Sequence, residues 1–220
     1  MAELFKQFPL PLHIAEPVAL VRPRGAHRFE AFSPKLKRRL TFYRRCAFDQ
    51  WVLIESDPAI GRFCERPGFI QFRERRHLAD FLVSHSDRQE LILLLDPVVD
   101  EEAKEGLEFR ADVLNVRLVD AAELAASRIW IDNWQRVLPS IVATRGLVSL
   151  LDAVERFVAN PKPLLAIERE FSKGDPVLVR AAIFTLLQTG RVHAEELRTD
   201  PLSWMTKFAA VEAAHDSPQA

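Results

Sequence analysis

The stretch 77-HLADFLVSHSDRQELILLLDP-97 reads as two strands joined by a polar turn, 84-SHSDRQ-89. Strand alternation puts Leu78, Asp80 and Leu82 on one face of the first, and Glu90, Ile92, Leu94 and Asp96 on one face of the second. Asp80 is then a carboxylate in an apolar strand, a costly position unless it is hydrogen-bonded, metal-bound or open to water. Metal-dependent phosphodiester cleavage needs carboxylates to hold the ion and a base or lysine to ready the attacking water. The hairpin offers Asp80, Glu90 and Asp96 as candidate catalytic acids, with Asp80 and Asp96 as candidate metal ligands. It offers no lysine, since none occurs between Lys37 and Lys104. Arginine is a poor substitute as a base because it stays protonated.

Outward from the hairpin, 68-GFIQF-72 and 113-VLNVRLV-119 read as further strands. Between Leu40 and Ile54 the residues Tyr43, Ala47, Trp51 and Ile54 recur at helical spacing. The first 34 residues hold Pro9, Pro11, Pro17, Pro23 and Pro34, and are expected to form an extended arm with little regular structure. Helix, hairpin and strands in this order predict a mixed α/β domain over 1–119. From Asp120 the pattern turns helical. Asp120 and Glu123 have capping-box spacing ahead of a helix that Pro139 should kink or end. Further helices are expected over Leu147–Val158, Pro163–Phe171 and, between an Asp175 cap and Gly190, over Pro176–Thr189. The segments 191-RVHAEEL-197 and 202-LSWMTKF-208 alternate as strands would. Three helices and a β-ribbon in this order describe a winged helix, so 120–213 is read as a helical, winged-helix-like domain and 214–220 as a disordered tail. Trp130, Trp134 and Trp204 are read as core residues.

The net charge of -1 hides an asymmetry. From Arg22 to Arg76 there are 14 Lys/Arg against 6 Asp/Glu, and from His77 to Ala126 there are 12 acids against 4 bases. A basic segment of that strength suits phosphate contact with double-stranded DNA. Lys35, Lys37, Arg38, Arg39, Arg44 and Arg45, with Arg73, Arg75 and Arg76 on the turn before the Asp80 strand, are the candidate DNA-binding residues. No apolar run approaches the ~18 residues of a membrane helix. The stretch MAELFKQFPLPLHI lacks a basic start and a continuous apolar segment, so no secretory signal is expected and the protein is read as cytoplasmic. Cys46 and Cys64 are too far apart, with no histidine between them, for a zinc site, and reduced thiols are expected.

Several of these segments occur in a telling order: 35-KLKRRL-40, 43-YRRCAFDQWVLIESDPAI-60, 65-ERPGFIQF-72, 78-LADF-81, and an apolar strand ending in 96-DP-97. Over residues 28–97 the chain resembles the TnsA-type endonuclease subunit of heteromeric bacterial transposases, and its helical half also looks like that family's C-terminal region. The resemblance implies a restriction-endonuclease-like N-terminal domain, Mg²⁺ as cofactor of an active centre, and transposase and ATPase subunits of a transposition complex as partners. It also maps the family's site. The helix glutamate falls on Ala47, the middle acid is retained as Asp80, and the Glu-x-Lys pair falls on Leu94 and Asp96 with Pro97 as anchor. A register starting at Glu90 restores the acid but puts Ile92 in the lysine's place. The expectation is a TnsA-like DNA-binding and assembly subunit, a pseudonuclease with a degenerate centre. The alternatives are an active endonuclease with Asp80, Glu90 and Asp96 as a rearranged ligand set, and a winged-helix DNA-binding regulator.

Overall fold

The structure, a computed structural model, describes residues 16–72, 75–95, 107–109, 115–141, 148–171 and 175–211. Among them the protein is mixed α/β, with four small sheets and six helices. It divides into two units, Met1–Ala126 and Ser127–Ala220.

The N-terminal unit begins with a ribbon, strand β1 (Phe29–Ser33) antiparallel to β2 (Arg38–Phe42). The proline-rich arm is therefore ordered at its end, because Phe29 and Ser33 alternate inward and Phe29 stacks on Phe48 with 5.4 Å between ring centres. Helix α1 (Arg45–Ser56) follows. It starts later than the helical spacing from Leu40 suggests, since Leu40 and Phe42 are buried through the ribbon instead. Strands β3 (Arg62–Glu65), β4 (Gly68–Phe72), β5 (Arg75–Leu78), β6 (Phe81–Ser84), β7 (Gln89–Leu94), β8 (Leu107–Phe109) and β9 (Asn115–Val119) come next, then helix α2 (Ala121–Ala126). One sheet has the order β3-β6-β7-β9, antiparallel except for the parallel β7–β9 pair. A second has the order β5-β4-β8.

Aromatic packing joins ribbon, helix and sheet: Phe42 lies 5.9 Å from Trp51 and 6.2 Å from Phe81, and Phe81 lies 6.3 Å from Phe63. A separate apolar cluster gathers Ile70, Ala79, Leu82, Leu91 and Leu93. Ala79 and Leu82, an odd number of residues apart, share that cluster, so 77–83 is not one continuous strand. The chain leaves one sheet at Leu78 and enters the other at Phe81, which resets the alternation expected for Leu78, Asp80 and Leu82.

The C-terminal unit contains α3 (Arg128–Ile141), α4 (Val148–Phe157), strand β10 (Lys162–Pro163), α5 (Leu164–Glu170), α6 (Pro176–Gln188), β11 (Val192–His193), a 3₁₀ turn (Glu195–Arg198) and β12 (Lys207–Ala210). The expected domain edge at 119/120 moves past α2, which packs against α1. Helix α3 runs on through Pro139, whose exposed position leaves the forgone helix bond on the solvent side. Its Ile131, Trp134, Val137 and Leu138 form a buried stripe, and α3 packs against α6. Helix α6 is delimited as its sequence indicates: the Asp175 side chain accepts from Val177 N–H, Pro176 opens the first turn, and Gly190 takes φ 73 just past the end. The two expected terminal strands shrink to β11 and β12, which join β10 in the order β10-β12-β11. Glu195–Arg198 forms the 3₁₀ turn instead of strand, and buried Asn133 bonds the backbone at its end and just beyond it. Asn133 Nδ2 donates to Leu197 O and Asp200 O, both at 2.8 Å, and its Oδ1 accepts from Leu202 N–H at 2.7 Å. Trp134 is a core residue, whereas Trp204 is half exposed beneath the Arg180 guanidinium, 4.8 Å from its ring centre. The expected tail, 214–220, lies outside the described residues.

Candidate functional site

Asp80 sits where the chain crosses between the two sheets of the N-terminal unit. Ala79 N–H still donates to Gly68 O at 2.8 Å, while Asp80 N–H donates to Ile92 O at 3.0 Å and Asp80 O accepts from Arg66 N–H at 2.8 Å. The crossing turns the carboxylate away from the expected strand face. Its Oδ2 accepts from Leu94 N–H at 2.7 Å, and its Oδ1 is ion-paired with Arg44 Nη2. Arg44 is the residue immediately before α1, so it delivers a guanidinium to a carboxylate that is only 8% exposed. A buried acid left alone would be costly; the guanidinium and the amide together satisfy it.

A second buried acid lies alongside. Glu65 ends β3 and forms a two-pronged pair with Arg38, Nη1 to Oε1 at 2.7 Å and Nη2 to Oε2 at 2.5 Å. That bond raises the Arg38 pKa above its ordinary value. Arg66 Nη2 stands 3.8 Å from the same carboxylate, while its Nε donates to Val18 O at 3.0 Å and its Nη1 to Thr41 O at 3.2 Å. Tyr43, Arg44, Ala47, Glu65, Arg66 and Asp80 line one pocket. Three guanidiniums thus attend two carboxylates there.

The positions to which the resemblance points come together at this place. Ala47 and Asp80 face the same pocket, and Leu94 meets Asp80 through its amide. Only one of the three carries an acid. Glu90 stands apart: it pairs with Val83 and Asn115, accepts from Asn115 Nδ2 at 3.3 Å, and is three residues, or ~10 Å of strand, from the level of Asp80. Asp96 lies outside the described residues. No group of three or more His, Cys, Asp or Glu side chains is placed to hold a metal ion among the described residues. The donors present fit Mg²⁺ poorly, because both carboxylates of the pocket already face arginine and hard-cation sites need several free oxygens.

The candidate DNA-binding cations divide by role. Lys35 is half buried, its Nζ donating to Ile54 O at 2.7 Å in the last turn of α1, and to Asp57 O at 2.5 Å and Ile60 O at 2.8 Å just beyond it. Burial lowers its pKa to about 8. Beside it, buried Glu55 accepts from Ser33 Oγ and from Trp51 Nε1, and burial raises its pKa above the usual carboxylate range. Lys35, Arg38 and Arg44 are therefore bound to groups of the domain itself, although the Arg38 side chain stays 41% exposed. Arg45 pairs with Asp49 at 2.8 Å, and the Arg76 guanidinium stacks 3.6 Å from the Phe69 ring centre. Lys37 and Arg39 are exposed. Arg73 and the Arg75 side chain lie outside the described residues. Glu65 and Arg66 have no warning in the sequence beyond the Glu-Arg pair ahead of Pro67-Gly68, and their meeting with Arg38 is a long-range event.

No protein-family model and no curated protein matches the chain. Among the described residues no helix is long and apolar enough to cross a membrane.

Proposed function

We propose that this protein is a TnsA-like subunit of a DNA transposition machinery, acting through DNA binding and assembly, with its nuclease centre closed by arginine. The observation that carries this reading is the convergence of Ala47, Asp80 and Leu94. These are the three positions onto which the family's acids map; Ala47 and Asp80 line one pocket, and the Leu94 amide bonds the Asp80 carboxylate, although two of the three are apolar. A leading helix followed by a mixed sheet, β3-β6-β7-β9, supports a restriction-endonuclease-like domain. Arg44 supplies Asp80 with the positive charge that a metal would otherwise bring. The pocket then holds the domain together without cutting DNA. Its partners are double-stranded DNA and the transposase and ATPase subunits, in the cytoplasm.

Supercoiled plasmid incubated with the protein and Mg²⁺ or Mn²⁺ tests the closed centre. The expected result is no nicking above the buffer control. Nicking that is lost in Asp80→Ala would instead establish the rearranged, active centre.

The helix and strand order of the C-terminal unit favours a winged helix, and with it a second reading, a DNA-binding regulator. A groove-reading helix presents polar side chains to the bases. Helix α6 is instead buried from Val179 to Gln188 apart from half-buried Arg180 and Thr185, against α3 and α4. That burial supports an assembly role. Arg180→Gln should leave duplex affinity unchanged; a loss of affinity would favour the regulator.

A further inference from the structure

The cations that resemblance and charge single out are not equivalent, and the difference points to a surface. Along the β1–β2 ribbon the register pairs Ser33 with Arg38, Phe32 with Arg39, Ala31 with Leu40, Glu30 with Thr41 and Phe29 with Phe42. Ser33, Leu40 and Phe42 are buried, so their face is the inner one. The opposite face carries Glu30, Phe32, Arg39 and Thr41, and the turn adds Lys37. Lys37 and Arg39 are exposed, and neither side chain has an ion-pair or hydrogen-bond partner among the described residues. The acid on this face, Glu30, is held by Arg28 at 2.6 Å. The outer face is thus left with two uncompensated positive charges.

The turn that carries Lys37 is anchored from within. Lys37 N–H donates to Ser33 O at 2.8 Å, Leu36 N–H donates to Ser33 Oγ at 3.0 Å, and Lys35 is tied to three carbonyls in the last turn of α1 and just beyond it. Lys37 itself takes φ 55, a left-handed conformation rare for a non-glycine residue. One lysine faces inward and holds the loop, while the next but one is presented at its tip. Charge fixed in place loses less freedom on binding than charge on a mobile loop. The five-residue strands make a ribbon ~17 Å long with ~4.8 Å between strands, which fits against a duplex groove ~12 Å wide.

We propose that the outer face of the β1–β2 ribbon is the surface by which the N-terminal unit contacts duplex DNA, with Lys37 and Arg39 on backbone phosphates. This rests on the DNA-binding reading above and assigns it a place that excludes Lys35, Arg38 and Arg44. Phosphate contacts of this kind carry no base preference.

The test is duplex binding by the full-length protein, followed by fluorescence anisotropy from roughly 50 to 300 mM salt, with wild type, Lys37→Gln/Arg39→Gln and a control, Arg62→Gln/Arg88→Gln. The expected result is a log K against log salt slope about 2 units shallower in the ribbon variant, with affinity near 100 mM salt weaker by tens of fold. The control should keep the wild-type slope. Both ribbon residues are exposed and unpaired, and Lys37→Glu gives a second variant at the tip that should weaken binding further. A wild-type slope in both ribbon variants overturns the assignment and leaves DNA binding intact. An equal loss in the control also overturns it, in favour of diffuse attraction. Absence of duplex binding by wild type overturns the DNA-binding reading itself.

Discussion

The Arg44 guanidinium is ion-paired with the Asp80 carboxylate, whose other oxygen accepts from Leu94 N–H at 2.7 Å. One residue ahead of α1 is thereby tied to the sheet crossing and to the end of β7. The acid that the resemblance casts as a metal ligand is engaged on both of its oxygens.

Removing one partner of a buried ion pair leaves the other charge uncompensated, typically at a cost of ~3–5 kcal/mol. Arg44→Ala should destabilise the protein by that amount in urea unfolding. Arg44→Ala/Asp80→Asn should recover part of the loss, because asparagine keeps an acceptor for Leu94 N–H without the charge. A double variant no more stable than Arg44→Ala would show that the lost packing of the arginine, and not the stranded carboxylate, carries the cost.

Lys35 gives stability a pH dependence of definite sign. Its folded pKa of about 8 lies below the 10.5 of the unfolded chain. Between those values the unfolded state holds more protons, so stability rises with pH across that window and the full penalty is present below it. Urea midpoints between pH 7.5 and 10.5 should therefore climb more steeply in wild type than in Lys35→Met. Parallel curves for the two proteins would remove Lys35 as the source.

Asn133 is 1% exposed and makes three hydrogen bonds to the backbone of 197–202. Asn133→Leu should cost ~3 kcal/mol, since two carbonyls and an amide lose their partner. Hydrogen exchange should show protection lost first at Leu202 N–H, the amide that Asn133 Oδ1 accepts from. Unchanged exchange there would contradict the pinning role.

Burial, with the Glu65 carboxylate adding to it, pushes the Cys64 thiol up to about 12, whereas Cys46 is only half buried. Thiolate is the reactive form, so a thiol reagent at pH 8 should modify Cys46 well before Cys64 in the folded protein. Urea should bring both to the same rate. Equal rates without denaturant would mean that β3 opens readily.

Local chemistry was legible where short-range rules govern. The Asp175 cap, Pro176 and Gly190 delimit α6, and the polar 84-SHSDRQ-89 segment closes the β6–β7 hairpin, whose His85 N–H donates to Arg88 O at 2.9 Å. Asp80 also stood out, because a carboxylate among apolar neighbours must have a partner somewhere. What that partner is could not be read from spacing. Arg44 and Asp80 are 36 residues apart, and Arg38 and Glu65 are 27 apart. Composition treats Lys35, Lys37, Arg38, Arg39 and Arg44 as one basic run, yet the tertiary structure ties Lys35, Arg38 and Arg44 to backbone carbonyls and buried carboxylates and leaves Lys37 and Arg39 exposed, without partners among the described residues. A charge's role depends on which dielectric it ends in and which opposite charge it meets there, and packing over long separations sets both.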